Sequence, residues 1–101
     1  MYIKQAKKRG IWSAGSVLIM VEQILEPVDV LASFSGGHIR PRAFLWRNRR
    51  YNVEKVNLAY SAKDGRDPVH FFSVSDGVNA YKLAFRPREM TWRLVELYGE
   101  E

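Results

Sequence analysis

Between Pro41 and Val53 the chain reads Pro-Arg-Ala-Phe-Leu-Trp-Arg-Asn-Arg-Arg-Tyr-Asn-Val, and this stretch limits the fold more than any other. Large apolar residues recur at every second position on either side of a polar turn, the period of a strand and not of a helix. A two-residue turn at Asn48-Arg49 is expected, because Asn tolerates the left-handed backbone that tight hairpins require. Counting outward, Trp46 falls opposite Tyr51 and Phe44 opposite Val53, so four large apolar side chains share one face. Ala43, Leu45, Arg47, Arg50, Asn52 and Glu54 take the other, mostly polar face.

The strand reading extends to both sides. Residues 26–35 alternate, with Val28, Val30, Ala32 and Phe34 on one side, and Gly36-Gly37 follows as a turn. Pairing through two glycines alone would set this apolar stripe against the wrong face of the next strand. A one-residue slip flips every side chain, so a three-residue loop or a bulge near Pro41 is expected, bringing Val30 against Phe44. After Lys55 the apolar parity moves to Val56, Leu58 and Tyr60, the mark of a bulge or sharp bend. Residues 61–68 read as a polar loop. Runs 69–74 and 78–85 flank Asp76-Gly77, a hairpin signal that sets Phe72 opposite Tyr81 and His70 opposite Leu83. Residues 92–98 form the last strand, with Trp92 facing Phe85 and Leu94 facing Leu83.

These elements predict an all-β domain of about six antiparallel strands in up-and-down order, forming a strongly curved sheet or small barrel. Phe34, Phe44, Trp46, Tyr51, Phe72, Tyr81, Phe85 and Trp92 would fill its interior, leaving Trp12 as the exposed tryptophan. A chain of 101 residues holds one core of this kind. Gly10, Gly15 and two serines interrupt the start, so residues 1–19 are expected to be a disordered basic and apolar extension, and residues 20–101 the folded domain. A short helical turn over 17–25 is the competing reading there. The apolar stretch after Gly10 falls short of the roughly 20 residues that cross a bilayer, so no membrane association is expected.

The net charge of +5 is unevenly placed. Lys4, Lys7, Lys8 and Arg9 crowd the N-terminus, and Arg40, Arg42, Arg47, Arg49 and Arg50 precede Glu54, the first acid of their region. With no cysteine, disulfides and thiolate metal sites are excluded, which is compatible with a cytoplasmic protein.

The run Phe44-x-Trp46-Arg47-x-Arg49-Arg50-Tyr51-x-Val53, with Glu26-Pro27-Val28-Asp29-Val30 before it and Tyr81-x-Leu83-x-Phe85 and Trp92-x-Leu94 after it, resembles a small bacterial domain of unknown function. That pattern is roughly Pro-x-x-Phe-x-Trp-Arg-Gly-Arg-x-Tyr-x-Val, then a Tyr-x-Leu strand and a late Trp. The resemblance spans about residues 20–98 and puts Asn48 where the family has Gly. It implies a stand-alone β domain with no established catalytic residues. Some members are joined to proteins resembling Y-family DNA polymerase accessory factors, which implies a link to nucleic acid by analogy.

Three functional classes compete. For catalysis, His38 and His70 lack a nucleophile or carboxylate at a recognisable spacing, and Asp64 and Asp67 read as turn residues; no enzyme, cofactor or metal is expected. For nucleic acid, Arg40, Arg42, Arg47, Arg49 and Arg50 form a basic hairpin, with Tyr60 and Phe71 the better candidates for exposed rings. For protein interaction, Val69, Phe71, Val78, Ala80 and Ala84 alternate away from His70 and Phe72 and would form an apolar outer patch. The favoured expectation is a protein-interaction or assembly module with a protein partner or a homo-oligomeric state. The alternative is a nucleic-acid-binding module linked to DNA repair or replication.

Overall fold

The computed structural model describes the backbone of residues 9–14 and 17–100 and the side chains of 20–99. Eight strands make up the fold: β1 (Arg9–Ala14), β2 (Val17–Ser35), β3 (His38–Trp46), β4 (Arg49–Asn52), β5 (Lys55–Asp64), β6 (Asp67–Ser75), β7 (Ala80–Arg86) and β8 (Thr91–Glu100). All pair antiparallel, in the order β4-β3-β2-β8-β7-β6-β5, with β1 paired to β2 off this path. Strand therefore begins before Met20: Arg9 lies opposite Glu22 and Ala14 opposite Val17, and 17–25 is strand, not helix. Lys4, Lys7, Lys8 and the Trp12 side chain lie outside the described residues.

The expected six strands are β2, β3, β4 with β5, β6, β7 and β8. The strand expected after Arg50 is divided at Val53-Glu54, where the chain changes partners. The Val53 N–H donates to the Arg42 carbonyl of β3 at 2.8 Å, and the Glu54 N–H donates to the Ser75 carbonyl of β6 at 2.9 Å. The two edges of the sheet, β4 and β5, are thus consecutive in sequence, so the sheet curls until two residues of chain span its ends. The ladder itself stays open.

Unequal pairings produce the curl. Arg42 is an extra residue in β3 and Asn57 in β5. Val95 is extra against β7, and Ile24-Leu25 face it from β2. Each bulge bends its strand and increases its twist. The Arg42 bulge, beside Pro41, meets the sequence expectation: Gly36-Gly37 is a two-residue turn, yet Val30 still pairs with Phe44. Phe85 pairs with Trp92 and Leu83 with Leu94, also as expected.

Trp46 and Trp92 are both buried, as expected. Inside, Phe44 stacks on Tyr51 at 5.1 Å, with Tyr81 and Trp46 completing one aromatic group. Trp92, Phe85 and Phe72 form a second. Val74, Leu83 and Leu94, fully shielded from solvent, make the aliphatic part of the core. Phe34 departs from expectation. It touches Phe85 edge-on at 5.9 Å but is 59% exposed, because it stands one residue from the Gly36-Gly37 turn, where the interior ends.

Three other expectations are corrected. The first hairpin turns at Arg47-Asn48, pairing Trp46 with Arg49 and Phe44 with Tyr51. The second has a four-residue loop, pairing Val74 with Tyr81, Phe72 with Leu83 and His70 with Phe85. Residues 61–64 and 67–68 are strand around a two-residue turn at Gly65-Arg66, not a loop, with Arg86–Asp64 and Arg88–Asp67 ion pairs beside that turn.

Candidate functional site

On either side of the Val53-Glu54 corner the two sheet edges diverge and leave an opening. The larger, about 450 Å³, lies between β4 and the loop after β6 and is lined by Trp46, Arg49, Tyr51, Asp76, Asn79 and Tyr81, among others. The smaller, about 220 Å³, lies between the start of β3 and the middle of β5, lined by His38, Ile39, Ala59, Tyr60, Ser61, His70 and Phe72.

The Asp76 and Tyr81 side chains of the larger opening are engaged within the protein. The Asp76 carboxylate accepts the N–H groups of Val78 and Asn79 at 2.9 and 2.8 Å and the Tyr81 hydroxyl at 2.8 Å. This side-chain capping fixes the four-residue loop. Burial pushes the Asp76 carboxyl up, but the bonds from Asn79, Val78 and Tyr81 together hold it below its ordinary 3.8. Burial, then the bond to Asp76, raises Tyr81. A carboxylate held low in the folded state stabilises above its unfolded pKa and loses that contribution as pH falls through the folded value. Acid titration of the melting temperature should therefore show a flatter fall below about pH 4 for Asp76→Asn than for the parent. Coincident acid limbs would remove Asp76 as a contributor.

The five hairpin arginines are divided by the fold. Arg47 is neutralised: its Nη2 donates to Glu26 Oε2 at 2.6 Å and its Nε to Oε1 at 3.2 Å, and that bonding raises its pKa. Glu26 Oε1 also accepts the Trp46 indole N–H at 2.8 Å. One carboxylate thus ties β2 to the last residue of β3 and the first of the β3–β4 turn, a role that spacing could not show because Glu26 is twenty residues away. Arg40, Arg42, Arg49 and Arg50 are exposed and make no ion pair among the described residues. Arg49 lies over the Tyr51 ring at 5.5 Å, and Arg50 donates to the Asn52 side chain. Arg50 also borders a shallow depression on the outer face with Leu31, Ala43 and Leu45.

The expected apolar patch forms differently. Val69, Phe71 and Ala84 do share the outer face, but Val69 and Ala84 are buried and present nothing to solvent. Ala80 is half-buried. Val78 is 82% exposed because it sits in the loop and not on the strand. Phe71 is half-buried beneath Tyr60, stacked at 5.1 Å, with the Lys82 ammonium over both rings. Exposed apolar surface passes instead to Leu58 and Tyr60 of β5. Sequence parity grouped these two with Val56; the extra residue Asn57 turns them out, and Tyr60 presents an exposed ring as expected. Residues 57–64 are all exposed, and among the described residues β5 is a sheet edge paired only with β6. The uncharged run Val56-Asn57-Leu58-Ala59-Tyr60-Ser61-Ala62 contains no Pro or Gly; the bulge at Asn57 protects its start, and from Leu58 to Ala62 the edge carries no charge, Pro, Gly or bulge against pairing.

The chain's two histidines meet at the smaller opening, His70 half-buried with its ring 6.4 Å from Phe85 and His38 exposed. Among the described residues no group of three or more His, Cys, Asp or Glu gathers to hold a metal. No described helix is long and apolar enough to cross a membrane. No protein-family model, curated protein or solved structure matches the chain.

Proposed function

We propose that this chain is a non-enzymatic, cytoplasmic protein-interaction or assembly module that works by strand addition at β5. The observation that carries the reading is the edge itself: a ten-residue strand paired on one side among the described residues, uncharged from Val56 to Ala62, with Leu58 and Tyr60 exposed. An edge of this kind supplies backbone bonds for affinity and alternate side chains for specificity.

A photoreactive side chain at Leu58, tested in cells expressing the full chain, should trap a protein. The product should disappear with Tyr60→Lys and be absent when the probe stands at Met90, which is more exposed than Leu58 but away from the edge. Equal trapping at both positions would refute strand addition.

The alternative reading is a nucleic-acid-binding module associated with repair or replication. Arg40, Arg42, Arg49 and Arg50, exposed and without ion pairs among the described residues, support it, as does the resemblance to a domain found beside polymerase accessory-like proteins. Saturable binding of single-stranded DNA, weakening steeply with salt and lost on replacing these arginines, would favour that reading if no protein were trapped at β5.

A further inference from the structure

We infer that the partner strand is β5 of a second copy, paired antiparallel about a two-fold axis that passes through Tyr60. The inference rests on the β5 edge as an interaction surface and names its occupant.

Symmetry restricts the register. In a continuous antiparallel sheet with its two-fold axis normal to the sheet, paired residues must point to the same face, so a residue has to lie on the axis opposite its own copy. Centring on Ala59 would set Leu58 against the partner copy's Tyr60 and part the two Tyr60 rings. Centring on Ser61 shortens the overlap and moves Tyr60 off the axis.

Centring on Tyr60 sets Leu58 opposite Ala62 and Ala59 opposite Ser61 of the other copy, and the ladder ends on either side at the bulged Asn57. No like charges are opposed. The two Tyr60 rings meet across the axis on the outer face, where each is already stacked on its own Phe71 at 5.1 Å. The pairing extends an existing two-ring stack into a four-ring ladder and covers Leu58, 56% exposed in the single chain. Cross-strand aromatic pairs of this kind stabilise sheet pairing.

The absence of native cysteine makes the register directly testable. Sedimentation of the full chain at rising concentration should show the mass double, and Tyr60→Lys should remain monomeric with an unchanged melting profile at low concentration. Under mild oxidation Tyr60→Cys should form a symmetric disulfide dimer, because facing residues in antiparallel strands lie within disulfide reach. Leu58→Cys should not, since its copy lies four residues along the paired strand. Efficient linkage through Ala59→Cys instead, or equal linkage at positions 58 and 60, would overturn the Tyr60-centred register. A chain that stays monomeric at all concentrations would overturn the second copy as occupant. If the Leu58 probe in that case still trapped a different protein, strand addition would stand and only its occupant would change.

Discussion

Trp46→Ala should destabilise the domain by about 3–5 kcal/mol, the range for deleting a large buried aromatic. Domains of this size are stable by only about 5–15 kcal/mol, so the variant should be largely unfolded near its upper working temperature. Two losses combine. The indole leaves a void beside Tyr51, whose ring centroid is 5.9 Å away, and Glu26 loses the indole N–H it accepts at 2.8 Å. Trp46→Phe separates them, keeping most of the apolar volume while removing the hydrogen bond; it should cost about 1–1.5 kcal/mol. Urea unfolding of the two variants against the parent checks both figures. A Trp46→Ala midpoint equal to the parent's would place Trp46 outside the core.

The faces of the strands were more legible than their partners. In both principal hairpins the sequence reading misplaced the centre of the turn by one residue, late in the first and early in the second, which moved every pair by two positions. Because side-chain direction repeats every two residues, such a slip preserves which side chains face inward. Phe44, Trp46, Phe72, Tyr81 and Phe85 are therefore inside, although the first four have partners other than those counted from the turn. What decided the registers lay outside local pattern. Turns at 47–48 and at 48–49 both require an arginine at positive φ, so propensity does not choose between them. Glu26, bonding both Trp46 and Arg47, and the stack of Phe44 on Tyr51 favour the first. In the second hairpin the Asp76 side chain fixes a four-residue loop where Asp-Gly alone suggests two residues.

The candidate edge was least legible. Residues 57–64 are exposed on both faces, so no alternation separates strand from loop, and the bulge at Asn57 parts Leu58 and Tyr60 from the inward Val56 with which the sequence parity grouped them. By contrast, the Pro41 bulge could be read because both flanking stripes are apolar and only one offset lets them meet. A register is readable from sequence where both partners are half-buried, and it is lost where a strand runs beyond the core.

The Arg47-Asn48 turn gives the second large expected effect. Both residues have left-handed backbones, with φ of 53° and 64°. This conformation costs ordinary L-residues roughly 1–2 kcal/mol and is worst for β-branched ones. Asn48→Val should therefore lower stability by about 1–3 kcal/mol, the range for a strained non-Gly residue. Asn48→Gly should match the parent or exceed it, because glycine adopts positive φ without a Cβ clash. Arg47→Gly should behave differently although its φ is nearly the same. It relieves the same strain but removes the ion pair to Glu26 and leaves the indole N–H as the turn's remaining tie to that carboxylate. Thermal melts of the three variants should place Asn48→Gly highest and Asn48→Val lowest. If Val and Gly at position 48 melted together, the turn would not have positive φ at its second residue, and the pairing of Phe44 with Tyr51 would have to be abandoned with it.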